Sequence, residues 1–507
     1  MTFARKVYLQ LPTPSPADLR ADRERVLEAF HADSMTLSAM QTLYPTLKKA
    51  NYAVTASLSP TDTGWETRNI EAGDTRSRSF ALALDLGSTT LEMELLDLNT
   101  GATLASGTAT NGQTAISANI LDRILYAKDR PDHLAHLQAL VTENINDLIV
   151  RCCTQAQVDP SEILLLAVGG NTTMIHLLLA CEPWQVFQIP YTPVFYDPGI
   201  QEARDIGLNL SCSVFCMPAV ANYLGGDITS GLLMTDLDTR TDPALFLDIG
   251  TNGEIAFGCK DFLLVGAGAA GPALEGAVSK SGMRAEPGAV CNVTIDEGDL
   301  IHVKTIGGKP PVGICGSGIL DLIAQGFLAG WINGNGTLNV DAAPAIRWTY
   351  EPDTQRQLPA ICYAQGPEGP LLFTQADIQE FIRCKAAAFT MAATLMEECG
   401  VAPSDLGAMY LAGGFGEHMD LESAITVGMY PDIPREKFKI LGNSSLKGVK
   451  KLLLDEAQLP RLRKFAQDAQ YVQFGEMARF PENMVAAQFL PHTDARLFPS
   501  VQPGNRK

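Results

Sequence analysis

The sequence contains no C-x-x-C pair although it has 11 cysteines, so neither a zinc finger nor a ferredoxin cluster finds a framework in it. Positive charge is also scarce. Lysine and arginine total 38 against 57 aspartates and glutamates, and a formal charge of −19 repels nucleic acid and anionic membrane alike. No apolar core follows the early basic residues in MTFARKVYLQLPTPSPADLRADRERV, as a secretory leader would require, so the cytoplasm is expected. The uncharged stretch from Ile163 to Cys181 holds Gly169, Gly170, Asn171, two threonines and His176, which a bilayer penalises. It predicts a strand, a turn and a buried helix. The odd cysteine count fits reduced, mostly buried thiols; Cys212 and Cys216 could face each other across one helical turn, although plain buried thiols are the more frequent outcome.

What is present is the profile of a globular protein: 507 residues, 46% hydrophobic, with 44 glycines and 30 prolines spread along the chain, enough for about three or four structural units. The segment PADLRADRERVLEAF has helical spacing, and NYAVTASL and GWETRNIEAG read as short strands, so residues 1–79 are expected to form a small α+β accessory domain. Beyond the polar stretch Ala72 to Ser79 the chain duplicates itself. ALALDLGSTTLEME (81 to 94) lies over ALFLDIGTNGEIAF (244 to 257), and LLLAVGGN (164 to 171) over MYLAGGFG (409 to 416). Strand and helix alternate throughout, including a long helix from a cap at Thr374 to a stop at Gly400. The expectation is an α/β chain with mixed sheets flanked by helices, divided into lobes 80–240 and 241–507.

The repeated turn carries the chemistry. Glycine leaves room for phosphate oxygens to reach backbone N–H groups, and hydroxyls add donors. Gly87, Ser88, Thr89 and Thr90 supply one such turn, and Gly250, Thr251, Asn252 and Gly253 the other, so a nucleoside triphosphate could be clamped between the halves. Asp85 and Asp248 end very apolar strands, where a carboxylate needs a partner; hydrated magnesium is a natural one, and either aspartate could orient an attacking water. Gly413 and Gly414, followed by Phe415 and Gly416, allow close backbone approach to an adenosine, while the pair Gly169 and Gly170 fits a tight strand-to-helix turn equally well.

Two D-x-G-[ST] turns and a late AGGFG resemble the phosphate and adenosine motifs of the actin, heat-shock-chaperone and sugar-kinase superfamily, whose fold is a two-lobed ATPase of duplicated ribonuclease-H-like domains. GGNTTMIHLLLA (169 to 180), MPAVANYLGGDITSGLL (217 to 233), AAGPALEGA (269 to 277), GMRAEPGAV (282 to 290), GICGSGILDLI (313 to 323) and FLPHTD (489 to 494) are similar to reductive activators of corrinoid proteins, from about residue 5 to the C-terminus. The resemblance implies an ATPase, with ATP and Mg2+ as cofactors, that drives reduction of cob(II)amide to cob(I)amide on a corrinoid protein or corrinoid-dependent methyltransferase. Such activators usually carry an iron–sulfur domain ahead of the accessory domain. The chain begins at the equivalent of the linker and no iron–sulfur cluster is expected in it: either the donor is a separate ferredoxin-like protein, or the sequence is a trimmed one, or the redox role has been lost. A homodimer is carried by the resemblance alone.

Several other residues have two readings. Glu254 could polarise water or hold magnesium through a water, or be a surface strand residue; Glu275 could touch the ribose or favour a helix dipole. Ser317 could contact an anion or partner, or simply cap. Lys385 could reach nucleotide, although a solvated lysine is the more frequent outcome, and His176 is more readily a core histidine than a cobalt ligand. His418 follows the last glycine turn. Two other functions stay open at this level: a small-molecule kinase of the same fold, and a nucleotide-switched chaperone without redox chemistry.

Overall fold

A computed structural model describes residues 1–250, 253–268, 278–350 and 356–502, without the side chains of Phe415 and Glu417. The chain forms two compact units. One comprises Met1–Met234 with Ser444–Asp468, the other Thr235–Asn443 with Ala469–Lys507.

The first unit begins with a four-stranded sheet in the order Arg5–Gln10, Ala53–Pro60, Trp65–Ala72, Ser34–Met35, covered by helices Asp22–Phe30 and Leu37–Lys49. Val26 and Phe30, and likewise Leu43 and Leu47, are four apart and share a helix face; Val54, Ala56 and Leu58 alternate along their strand onto one face of the sheet. Together they close a core of their own. Thr36 starts the second helix by accepting from the Ala39 N–H.

The larger sheet of this unit runs Thr103–Thr110, Thr90–Asp97, Phe80–Leu86, Ile163–Gly170, Ser213–Cys216, Ile200–Glu202. Its central strands are covered on both faces, which is why FALALDL and ILLLAVGG are almost continuously apolar rather than alternating. Leu82, Leu84 and Leu86 pack in one cluster with Leu137, Val141, Ile145 and Leu148 of the helix Pro131–Ala156. Each such leucine contributes about 1.5–3 kcal/mol through burial. Gly169 has the opposite parity and meets Ser445 and Val449 of the helix Ser444–Leu454.

The second unit repeats the plan. Its sheet runs Phe438–Gly442, Ala408–Ala412, Ala244–Ile249, Gly253–Cys259, Phe262–Gly268, Gln470–Tyr471. In both sheets the strand bearing the motif aspartate pairs antiparallel with the next strand in sequence and parallel with a much later one ending in glycine or just before it. The duplication seen in the motifs is therefore a duplication of topology. The helix Gln375–Glu398 starts at a Thr374 capping box and stops before Gly400, whose φ of 65° lies in the left-handed region that favours glycine.

Residues 163–178 form the expected strand, turn and helix, and among the described residues no helix is long and apolar enough to cross a membrane. The helical pairing of Cys212 and Cys216 is incorrect. Ser213–Cys216 is a strand, selected by the run Ser-Val-Phe-Cys beside Ile163–Gly170, and both thiols are buried.

Candidate functional site

In the first unit Asp85 lies at the end of the central strand, in register with Gly169 on one side and Glu92 on the other. Directly opposed residues of an antiparallel pair project to the same face, so Asp85 and Glu92 form a carboxylate pair beside the turn. The Ser445 hydroxyl donates to Asp85 Oδ1 at 2.7 Å. A Cβ on Gly169 would stand 2.6 Å from that Ser445 Oγ, so the glycine is what lets the hydroxyl reach the aspartate. Asp227 adds a third carboxyl. Loss of hydration raises it to about 7, and the charge of Asp85 pushes it in the same direction.

The turn itself is held from its carbonyl side. Gly87 N–H donates to the Thr90 carbonyl at 3.1 Å, Asn111 Nδ2 donates to the Gly87 carbonyl at 3.0 Å, and Asn111 N–H to the Thr89 carbonyl at 2.8 Å. Arg123 Nη1 donates to the Ser88 carbonyl at 2.7 Å. Gly87, Ser88 and Thr89 are half-buried and Thr90 is exposed. The Gly87 N–H is spent on this closure; with the carbonyls occupied, the turn hydroxyls and the Ser88 and Thr89 N–H groups are the donors it can offer an anion.

The second unit repeats the arrangement with Asp248 and Glu254 in register. Glu254 is only 8% exposed, which removes the surface-strand reading. Gly413 has φ +84°, and a Cβ there would fall 2.4 Å from the Ile249 carbonyl oxygen and 2.8 Å from Asp248 Oδ1. The late double glycine is thus brought against the second aspartate, with Gly250 and Gly253 at the two ends of the adjoining turn. Gly414 is exposed with open space where a Cβ would stand, and Gly416 is buried. Thr251, Asn252, Glu275 and the side chain of Phe415 lie outside the described residues.

The remaining candidates fall elsewhere. Lys385 is not solvated: it is wholly buried, and its Nζ donates to the Phe489 and Pro491 carbonyls at 2.6 and 2.7 Å. Burial lowers its pKa well below the usual lysine value. It pins the FLPHTD segment, which helical spacing alone did not reveal. Ser317 neither caps nor faces outward; Cys315 is the cap residue, and the Ser317 hydroxyl donates to the Cys291 carbonyl at 2.8 Å. His176 is a core residue stacked on Phe195, with Nδ1 2.7 Å from the Thr172 carbonyl and its pKa lowered by burial. His418 is exposed at the end of a short helix.

Sequence reasoning passed over Glu92, Asp227, Ser445, Asn111 and Arg123. Glu92 had a signal in the duplication, but the first turn is one residue longer than the second, so an ungapped overlay sets Glu254 against Leu91.

Comparison with known proteins gives a consistent result along the chain. Residues 2–77 match the RACo linker region, 80–240 the RACo middle region, and 242–502 the C-terminal domain of RACo, the ASKHA domain. The chain is 31% identical over 421 residues to the corrinoid activation enzyme RamQ of Eubacterium limosum, spanning 80% of this chain and 70% of that one. It is 26% identical over 423 residues to the [Co(II) methylated amine-specific corrinoid protein] reductase of Methanosarcina barkeri, spanning 76% and 72%. A solved reductive activator for corrinoid, iron-sulfur protein superposes with a TM-score of 0.89 at 36% identity, covering 99% of this chain and 81% of the other.

Proposed function

The chain belongs to the RACo family of reductive corrinoid activators, and from that premise we propose that it hydrolyses ATP to drive one-electron reduction of cob(II)amide to cob(I)amide on a partner corrinoid protein or corrinoid-dependent methyltransferase. The observation that supports it is the recurrence, in both sheets, of a motif aspartate in register with a glutamate at the mouth of a glycine turn.

In this reading the Gly87–Thr90 turn and the turn after Asp248 donate to phosphate oxygens, and Gly413 and Gly414 admit the adenosine. Asp85, with Glu92 beside it, and Asp248, with Glu254 beside it, are each proposed to hold Mg2+ through its waters; an acidic, oxygen-only donor set is what that ion takes. Bound magnesium neutralises phosphate charge. Ser445 aims Asp85, because its hydroxyl donates to one carboxylate oxygen and fixes the side chain's orientation. In the same proposal one of the two aspartates orients the attacking water, and Glu254, buried among strand residues, polarises it.

Cob(II)amide gains one electron and ATP plus water become ADP and phosphate. Linking the two requires that nucleotide states differ in affinity for partner states. The 507 residues have no ferredoxin cysteine spacing, so we assign the electron to an iron–sulfur donor outside them, and the reaction to the cytoplasm. A homodimer belongs to the same proposal.

The test is ATP hydrolysis with and without an oxidised corrinoid protein from the same genome, following the cobalt spectrum with a reductant present. A cob(I)amide band that requires ATP is the expected result. Hydrolysis without reduction across several donors and partners would move the assignment to a kinase or a non-redox switch.

A further inference from the structure

Arg123 is fully buried yet has no carboxylate partner among the described residues. Its Nε donates to the Ser117 carbonyl at 2.8 Å, and its Nη1 to the Ser88 carbonyl at 2.7 Å and, less closely, to Gln113 Oε1 at 3.4 Å. Nη2 is buried without any hydrogen-bond partner, and the thioether of Met174 lies 3.9 Å from Nη1. The other buried guanidinium groups are compensated: Arg25 pairs with Asp18, and the largely buried Arg68 with Glu66 and Glu202.

An uncompensated charge in low dielectric is costly, because neither water nor a counter-ion screens it. Such a cost persists where the missing counter-charge arrives with a ligand. Among the described residues, Arg123 reaches the Gly87–Thr90 turn through the Ser88 carbonyl. It grips the turn at Ser88, between the Gly87 and Thr89 carbonyls held by Asn111.

We propose that Arg123 is a positioning residue for nucleotide: from behind the turn it fixes Ser88 and supplies the buried positive charge whose counter-ion is the triphosphate. This rests on the reading of Gly87–Thr90 as a phosphate turn. Because the charge acts through the turn rather than in contact with substrate, charge retention matters more than side-chain shape. Burial lowers the guanidinium pKa to about 10, which leaves it cationic at neutral pH.

The experiment is calorimetric titration of the full chain with Mg-ATP, for wild type, Arg123→Met and Arg123→Lys, alongside nucleotide-free melting. Wild-type binding establishes the phosphate reading; its absence would sink that reading before the variants are considered. With wild type binding, Arg123→Met is expected to bind about tenfold more weakly, and Arg123→Lys to stay within about threefold. Nucleotide-free melting of the methionine variant should stay within a few degrees of wild type, since it also removes an uncompensated charge. Equal affinity in wild type and Arg123→Met would overturn the proposal, as would a lysine variant as weak as the methionine one. If the methionine variant does not fold, the lysine variant decides: a tenfold loss in a folded Arg123→Lys protein goes against the charge role.

Discussion

Replacing Gly413 by alanine tests the geometry of the second unit most sharply. The residue sits at φ +84°, a conformation that costs an L-residue about 1–2 kcal/mol. The added methyl would also meet the Ile249 carbonyl oxygen at 2.4 Å and Asp248 Oδ1 at 2.8 Å. The Ile249 carbonyl is held in the sheet, so the turn must yield and the Asp248 carboxylate must turn aside; overpacking of this kind adds about 1–3 kcal/mol. The sum, about 2–5 kcal/mol, predicts a fall of roughly 5 to 15 °C in the melting of the second unit. Calorimetry of the full chain reads this directly, and ATP hydrolysis should fall with it because Asp248 is pushed from its place. Gly414→Ala is the control: nothing lies within 4 Å of its Cβ position, so its melting should match wild type within about a degree or two. A Gly413→Ala protein that melts within 2 °C of wild type and hydrolyses ATP within about twofold would refute the argument.

Asp85→Asn and Asp248→Asn should each lower ATP hydrolysis by at least about a hundredfold while leaving the fold intact, read by steady-state phosphate release and circular dichroism. Ser445→Ala removes the 2.7 Å hydrogen bond to Asp85 and should cost about tenfold in turnover; an unchanged rate would show that the hydroxyl does not aim the carboxylate. Acid should destabilise the first unit through His176. Its folded pKa is depressed, so the unfolded chain binds the extra proton, and stability falls as pH drops through the unfolded value near 6.5, by up to about 1.4 kcal/mol at pH 5.5. His176→Phe should flatten that part of the melting-temperature profile between pH 7 and 5.5.

The doubly repeated aspartate and glycine turn was legible because strand ends that repeat a costly carboxylate need a common reason. The fold followed from it: two copies of strand, turn, strand and a late glycine strand specify two related sheets. Ser445 was not legible, since it lies 360 residues from its partner and no local pattern marks a side chain that completes a distant site. Lys385 was misread because lysine usually keeps its ammonium in water, whereas here two carbonyls of the 489–491 segment replace the water. Arg123 was invisible for a related reason. Its meaning lies in the carboxylate that is missing around it, and a sequence shows residues rather than the company they lack.

The return of Ser444–Asp468 to the first unit has a consequence for synthesis. The helix that faces Gly169 and supplies the hydroxyl to Asp85 is translated after nearly all of the second unit's sheet. At ordinary elongation rates the early segment waits roughly 10 to 50 seconds for it, with one flank of the Ile163–Gly170 strand uncovered. A fragment ending before residue 444 would remain permanently in that condition, exposing apolar surface that the finished chain buries. The protein therefore completes its parts out of order: the first unit closes only after most of the second has been made.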